Sequence, residues 1–293
     1  QAFILGMTPE KWNKINNDPR HPMQNRFKGI FAPGSSLKPI IAAIGLSQNK
    51  FSASDDFGNS GKRWQKNKSW GGYYVTTLHD YSGHNVRNAL IYSDNIYFAK
   101  AALKIGKDTL KDQFDNLLFG KNLDFTFGLT ASSYGNEGFT SEIQLADSGY
   151  GQGEMMVNPV HMATIYTAFS NKGNMLKPYL IKQKGSKKQV LKEHVFSNDA
   201  VKTVNDAMKQ VISNPNGTGH AAQIDGIDLK GKTGTAEIKQ SQTDTKGTEL
   251  GWFVTIMPKT EYKESLELVS MTEDVKKRGG SGYVVNKTKK ILE

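Results

Sequence analysis

Phe31-Ala32-Pro33-Gly34-Ser35-Ser36-Leu37-Lys38 is the stretch on which the reading of this chain turns. Pro33-Gly34 breaks whatever precedes it. An apolar run follows, with Leu37, Ile40, Ile41, Ile44 and Leu46, so a helix begins here. Pro39 fits only the first turn, where its missing N–H has no partner to lose. The helix is therefore expected to start at Ser35 or Ser36, either of which can cap it, and to end near Ser47. A serine hydroxyl then sits at the positive end of a helix dipole, beside free backbone N–H groups. Lys38, three residues after Ser35, shares its face. Serine is a poor nucleophile until a base takes its proton, and a partly buried lysine with a lowered pKa can be that base. Ser-x-x-Lys alone recurs by chance, so the rest of the chain must carry the weight.

The chain has 293 residues, 37% of them hydrophobic, enough for one large domain or two modest ones. Its net charge of +10 suits an anionic neighbourhood: nucleic acid, membrane surface or wall polymer. The lysines are spread out, and the densest basic run, at 274–278, is short. There is no aromatic–basic RNA signature, helix-turn-helix pattern or zinc knuckle, so no nucleic-acid partner is expected. The absence of cysteine excludes disulfides, thiolate metal sites and cysteine nucleophiles, and is compatible with export. The six histidines show no ligand spacing, so neither metal nor cofactor is expected. No apolar run approaches the roughly 18 residues of a membrane helix, and no signal peptide is legible. The chain opens on Gln1, and the expectation is a soluble part of a longer protein whose anchor lies upstream.

Read in order, the chain changes period. Residues 2–5 suggest a strand, and Thr8-Pro9 opens a short helix to about residue 15. Residues 51–85 read as loop with short strands. Their aromatic run at 64–74 is either a loop pinned by buried tryptophans or a wall over a peptide-binding cleft. Helical spacing resumes after Asn85 and again from Ile96 to Gly106, with Ser93-Asp94-Asn95 between. Another short helix is expected at 109–118, and 121–157 is loop-rich. Asn158-Pro159 caps a helix to about residue 171, a strand is expected near 179–182, and a further helix at 199–212. Strands are expected at 227–238, 250–257 and 266–272, with an exposed connection at 239–249 and a closing helix at 281–292. Strands joined by a loop, with helices before and after, indicate an α+β fold: an antiparallel sheet packed between helices. The expected organisation is one domain over 1–293, with an all-helical subdomain at about 48–225 and sheet-forming parts at 1–30 and 226–293.

Three motifs now stand in order: Ser35-x-x-Lys38, Ser93-Asp94-Asn95 and Lys232-Thr233-Gly234-Thr235. Together they mark penicillin-binding proteins and related β-lactamases. Nearly the whole chain resembles the transpeptidase domain of class B penicillin-binding proteins. The resemblance includes Trp70-Gly71-Gly72-Tyr73, Gly149-Tyr150-Gly151-Gln152-Gly153 before Asn158-Pro159, and Gly251-Trp252-Phe253. Trp70-Gly71-Gly72-Tyr73, Tyr92–Ile96 and Ala146-Asp147-Ser148 look most like the low-affinity, β-lactam-tolerant branch of Gram-positive bacteria.

The resemblance implies a serine D,D-transpeptidase. Ser35 would attack the penultimate D-alanine of a peptidoglycan stem peptide, and an amine acceptor would resolve the acyl-enzyme into a cross-link. Lys38 would be the base, Ser93 a proton relay, and Asn95 a holder of Lys38 and of the substrate amide. Lys232, with the hydroxyls of Thr233 and Thr235, would grip the donor carboxylate. The N–H groups of Ser35 and Thr235 would form the oxyanion hole. Gly234 suits a strand lying against substrate; Tyr73 and Glu237 are further substrate-binding candidates. The implied partners are stem peptide, amine acceptor, β-lactam antibiotics and a glycosyltransferase or other wall-synthesis proteins, at the outer face of the cell membrane. The alternatives are a serine β-lactamase, a D,D-carboxypeptidase and a non-enzymatic β-lactam sensor. No Glu-x-x-Leu-Asn stretch supplies the deacylating base of class A β-lactamases.

Overall fold

A computed structural model describes residues 4–181, 187–238, 247–259 and 265–293. The first helix, α1 (Pro9–Asn16), starts as its sequence requires: Thr8 accepts from the Lys11 N–H and Pro9 takes the first turn. A single 3-10 turn, Gly34–Leu37, runs directly into α2 (Lys38–Ser47). No side chain caps it; Ser36 Oγ instead donates to the Pro33 carbonyl. The helix start is thus where Pro39 places it, but the serine cap is replaced by a tighter turn. The short pair β1 (Arg63–Trp64) and β2 (Val75–Thr76) follows. Helices α3 (Val86–Ile91), α4 (Asn95–Ile105) and α5 (Lys107–Asn116) come next, the first two separated by the Ser93-Asp94 bend. The segment at 121–157 holds more than loop. It carries β3 (Ser133–Tyr134), α6 (Glu142–Ser148) and β4 (Met155–Met156). Then come α7 (Pro159–Ser170), the pair β5 (Met175–Leu176) and β6 (Val190–Lys192), and α8 (Asn198–Ser213).

The C-terminal part supplies β7 (Lys230–Ile238), β8 (Thr248–Met257), β9 (Leu266–Thr272) and α9 (Ser281–Leu292). The strands form one antiparallel sheet in the order β7-β8-β9, with Lys232 opposite Val254 and Val254 opposite Val269. Strand period sorts β8 to two faces. Phe253 and Met257 join Val284, Val285 and Leu292 of α9, whereas Val254 and Ile256 join the main helical core. That core gathers Ile40, Ile41 and Ile44 of α2, Phe98 of α4, Ile165 and Tyr166 of α7, and Val204 and Met208 of α8. The helix α2 is hence buried on nearly all sides, as its unbroken apolar run requires.

Three expectations are corrected. Ile4 and Leu5 are 88% and 86% exposed and form no strand, and residues 4–30 contribute α1 and a 3-10 turn rather than sheet; residues 1–3 lie outside the described residues. The strand expected at 179–182 is found earlier, at Met175–Leu176, where Leu176 faces Val190; Tyr179, Leu180 and Ile181 are exposed, and Lys182 lies outside the described residues. The first sheet strand begins at Lys230 rather than 227, and most of the 239–249 connection, residues 239–246, lies outside the described residues.

Main chain meets main chain around the 3-10 turn. Gly34 (φ +52°) donates its N–H to Gly151 O at 2.9 Å, and a Cβ on Gly34 would lie 2.4 Å from Thr235 O. Gly151 (φ +77°) is pressed from the other side: its Cβ would lie 2.1 Å from Gly34 O. Gly151→Ala therefore combines a positive-φ cost with a backbone clash and is expected to destabilise the domain by about 2–4 kcal/mol. A urea midpoint that falls with unchanged slope checks this; a change within about 0.5 kcal/mol, normal for exposed sites, would refute it.

Candidate active site

The 3-10 turn holds Ser35 at the start of α2. Its neighbours are fastened on every side: Trp252 Nε1 donates to Ala32 O (2.9 Å), and Tyr166 Oη to Ser36 O (2.6 Å). Ser35 itself is half-buried, and among the described residues nothing hydrogen-bonds its hydroxyl. Lys38 opens α2 and is wholly buried. Its Nζ reaches Ser93 O (2.6 Å), Asn95 Oδ1 (2.7 Å) and Ser93 Oγ (3.2 Å). Lys232, also wholly buried, projects from β7 and donates to Ser93 Oγ (2.9 Å) and Thr233 O (3.0 Å). The Ser93 hydroxyl thus stands between two lysine nitrogens.

Burial is the main cause that drives the Lys38 pKa well below the lysine range; the nearby charge of Lys232 adds to it, and Asp94 opposes it. Burial brings Lys232 down to about 7. With Lys38 neutral, its two N–H groups satisfy Ser93 O and Asn95 Oδ1, and its lone pair is left for a hydroxyl hydrogen. The Lys38 N–H donates to Ser35 O within the turn, but the Ser35 hydroxyl and Lys38 Nζ are not hydrogen-bonded to each other. Such contacts commonly tighten only once substrate is in place.

The bend between α3 and α4 aims Ser93. Ser93 adopts φ +55°, a left-handed conformation unusual for a residue with a side chain. Asp94, buried beside it, holds the bend: it accepts from Ile96 N (2.8 Å) at the start of α4 and from Tyr81 Oη (2.7 Å), with His84 Nδ1 3.7 Å away. Asn95 is fixed by donating Nδ2 to Thr76 O of β2 at 3.0 Å.

On β7, Thr233, Thr235 and Glu237 share one face by strand period. Thr233 Oγ1 donates to Thr218 Oγ1 (2.7 Å), Thr235 is half-buried and Glu237 exposed. Gly234 backs onto the serine turn, where a Cβ would lie 2.8 Å from Ser36 N. Tyr73 lies in the aromatic loop, packed on Trp70, and donates its hydroxyl to Asp147 Oδ1 at 2.5 Å. The structure therefore brings Lys38, Ser93, Asn95 and Lys232 into one hydrogen-bonded cluster and sets the serine turn against the strand at Gly234-Thr235. Tyr73 and Glu237 stand outside that cluster. No group of His, Asp or Glu among the described residues is placed to hold a metal ion.

Sequence reasoning missed the Thr76 carbonyl, the Tyr81 and His84 support of Asp94, and the hydrogen-bonding role of Asp147. A main-chain carbonyl leaves no trace in a sequence. Asp147 was visible only as the middle of Ala146-Asp147-Ser148.

The family model of the penicillin binding protein transpeptidase domain matches residues 4–293. Penicillin-binding protein 3 of Bacillus subtilis is 40% identical over 100% of this chain and 43% of its own length. Peptidoglycan D,D-transpeptidase FtsI of Escherichia coli is 28% identical over 77% of this chain and 37% of its own. The chain spans less than half the length of these curated relatives. Among solved structures, the D,D-transpeptidase domain of a peptidoglycan glycosyltransferase from Eggerthella lenta superposes with a TM-score of 0.78 at 24% identity, covering 99% of this chain and 70% of that one. PBPA from Mycobacterium tuberculosis gives 0.79 at 17% identity, covering 96% and 65%. At those identities the likeness is one of α+β fold. With the family model spanning nearly every residue, the chain belongs to the penicillin-binding protein transpeptidase domain family.

Proposed function

We propose that this domain is a serine D,D-transpeptidase that cross-links peptidoglycan stem peptides and is acylated by β-lactams. The observation that carries the reading is the Ser93 hydroxyl, 3.2 Å from Lys38 Nζ and 2.9 Å from Lys232 Nζ, behind a serine turn pressed on β7. Lys38, a free amine, takes the Ser35 proton as Oγ attacks the carbonyl carbon of the penultimate D-alanine. The oxyanion forms against the N–H groups of Ser35 and Thr235. The C–N bond then breaks, and the leaving nitrogen receives a proton through Ser93. An acceptor amine attacks the ester, gives its proton to Lys38, and the Ser35 alkoxide departs reprotonated. Lys232, Thr233 and Thr235 hold the donor carboxylate.

The finer reading is a β-lactam-tolerant enzyme. Ser35 is half-buried in its turn rather than open to the cleft, so acylation is expected to be slow. The parent protein would be anchored at the outer face of the membrane and act beside a glycosyltransferase. No helix among the described residues is long and apolar enough to cross a membrane.

The deciding experiment has two parts. Mass spectrometry after penicillin is expected to show a long-lived adduct on Ser35; rapid turnover would make the domain a β-lactamase. A D-Ala-D-Ala donor with an amine acceptor is expected to give cross-linked product. Hydrolysis alone would indicate a carboxypeptidase, and acylation by penicillin without any peptide turnover a sensor.

Acylation requires Lys38 neutral and Lys232 protonated. The second-order acylation constant should therefore rise as Lys38 loses its proton and fall as Lys232 loses its own near 7. These limbs belong to the coupled pair. A bound carboxylate favours the Lys232 ammonium, so the alkaline limb of the saturated rate should move up. An alkaline limb above about 9 in the free domain, close to an ordinary lysine, would contradict the assignment.

A further inference from the structure

Asp147 lies near the end of α6, 8% exposed. One oxygen, Oδ1, accepts from two tyrosines. Tyr73 Oη donates at 2.5 Å, and Tyr150 Oη donates to the same atom. Burial raises the carboxyl pKa, and the two tyrosine hydrogen bonds oppose that rise. No step of the proposed chemistry uses this carboxylate, yet each tyrosine leads to a different half of the catalytic cluster.

Tyr73 belongs to the aromatic loop that returns into β2. Its own carbonyl is held by Gln65 Nε2 at 3.2 Å, and three residues on, Thr76 O fixes the Asn95 amide, whose Oδ1 receives Lys38. Tyr150 immediately precedes Gly151, whose carbonyl accepts the Gly34 N–H at 2.9 Å, one residue before Ser35. Asp147 also holds this second loop through its main chain: its carbonyl accepts from Tyr150 N (3.2 Å) and Gln152 N (3.1 Å).

We infer that Asp147 is a positioning residue that fastens the base side of the site, through Tyr73 and Asn95, and the nucleophile side, through Tyr150 and Gly34, to one carboxylate oxygen. It touches neither substrate nor reacting atoms. It fixes how Ser35 Oγ and Lys38 Nζ face each other, which no side-chain hydrogen bond sets directly; the Lys38 N–H bond to Ser35 O joins only their main chains. This inference rests on the assignment of Ser35 and Lys38 above.

The test uses the acylation rate at saturating penicillin, k2, together with its half-saturation constant and the melting temperature. Wild-type labelling at Ser35 is the control, and its failure would overturn the assignment of the nucleophile rather than that of Asp147. Misplacement of reacting groups by about 1 Å can cost a hundredfold, so Asp147→Ala is expected to lower k2 by about ten- to a hundredfold. The half-saturation constant should change little. Asp147→Asn keeps an acceptor oxygen for both tyrosines and should restore most of k2. Tyr73→Phe should lower k2 by about threefold or more, and should add little to Asp147→Ala, because Tyr73 acts mainly through the Asp147 oxygen and its other hydroxyl contact, to Tyr150 Oη at 3.3 Å, is long. If Asp147→Ala does not fold, Asp147→Asn and Tyr73→Phe alone decide. A folded Asp147→Ala with k2 within about twofold of wild type, Tyr73→Phe with unchanged k2, or additive losses in the double variant would each overturn the inference.

Discussion

Ser35→Ala is expected to give no covalent penicillin adduct and to unfold at nearly the wild-type temperature. The first half follows from chemistry: alanine has no oxygen to form the ester, and removal of a nucleophile costs on the order of a millionfold where it has been measured. The second half follows from the surroundings. Among the described residues no group hydrogen-bonds the Ser35 hydroxyl, and the turn is held through Gly34, Ser36 and Ala32 instead. Stability should stay within about 1 kcal/mol of wild type. Intact-mass measurement and thermal unfolding on one preparation check both halves. An adduct elsewhere on a folded Ser35→Ala domain would remove Ser35 from its role.

Lys38→Met carries the second largest effect. Methionine fills similar volume in the buried slot but neither accepts the Ser35 proton nor donates to Ser93 and Asn95. Loss of a general base is expected to lower the acylation constant by about a hundred- to ten-thousandfold. Two stability effects oppose each other. Ser93 O and Asn95 Oδ1 lose a donor, which destabilises; a buried lysine is also removed, which stabilises. The sign of the pH dependence separates them. In the wild type, the folded-state pKa of Lys38 lies below that of the unfolded chain, so the unfolded chain binds more protons between the two values. Stability contributed by this group therefore rises with pH across that window, up to the ordinary lysine value of about 10.4. Lys38→Met should flatten that rise. An unchanged slope of stability against pH would show that Lys38 is an ordinary, protonated lysine in the fold.

Much of this was legible in the sequence where one residue type had a single explanation. Pro39 could lie only in a first turn; helical structure begins one residue before Ser35, as a 3-10 turn at Gly34, and the α-helix proper starts at Lys38. The strand read at 250–257 forms from Thr248, and the strand at 266–272 and the closing helix at 281–292 appeared as read. Short elements were lost because their apolar pattern never completes a period. The helix α6 has seven residues, too few for periodicity, although Ser141 and Gln144 form a capping signature that could have marked it. Tyr179, Leu180 and Ile181 are good strand formers without a strand, since local propensity cannot see whether a partner is within reach. The motif residues were likewise visible. What joins them was not: Thr76 acts through its carbonyl, and Asp147 through two tyrosines 74 and 3 positions away.

The bare backbone on both sides of the serine turn has a consequence for how such a domain can evolve under antibiotics. At Gly34, Gly151 and Gly234 even a methyl group collides with neighbouring main chain, so these positions offer selection no small steps. On the proposed function, heritable change in drug reactivity is expected to accumulate in the surrounding loops, where side chains can vary one at a time without moving the machinery they enclose.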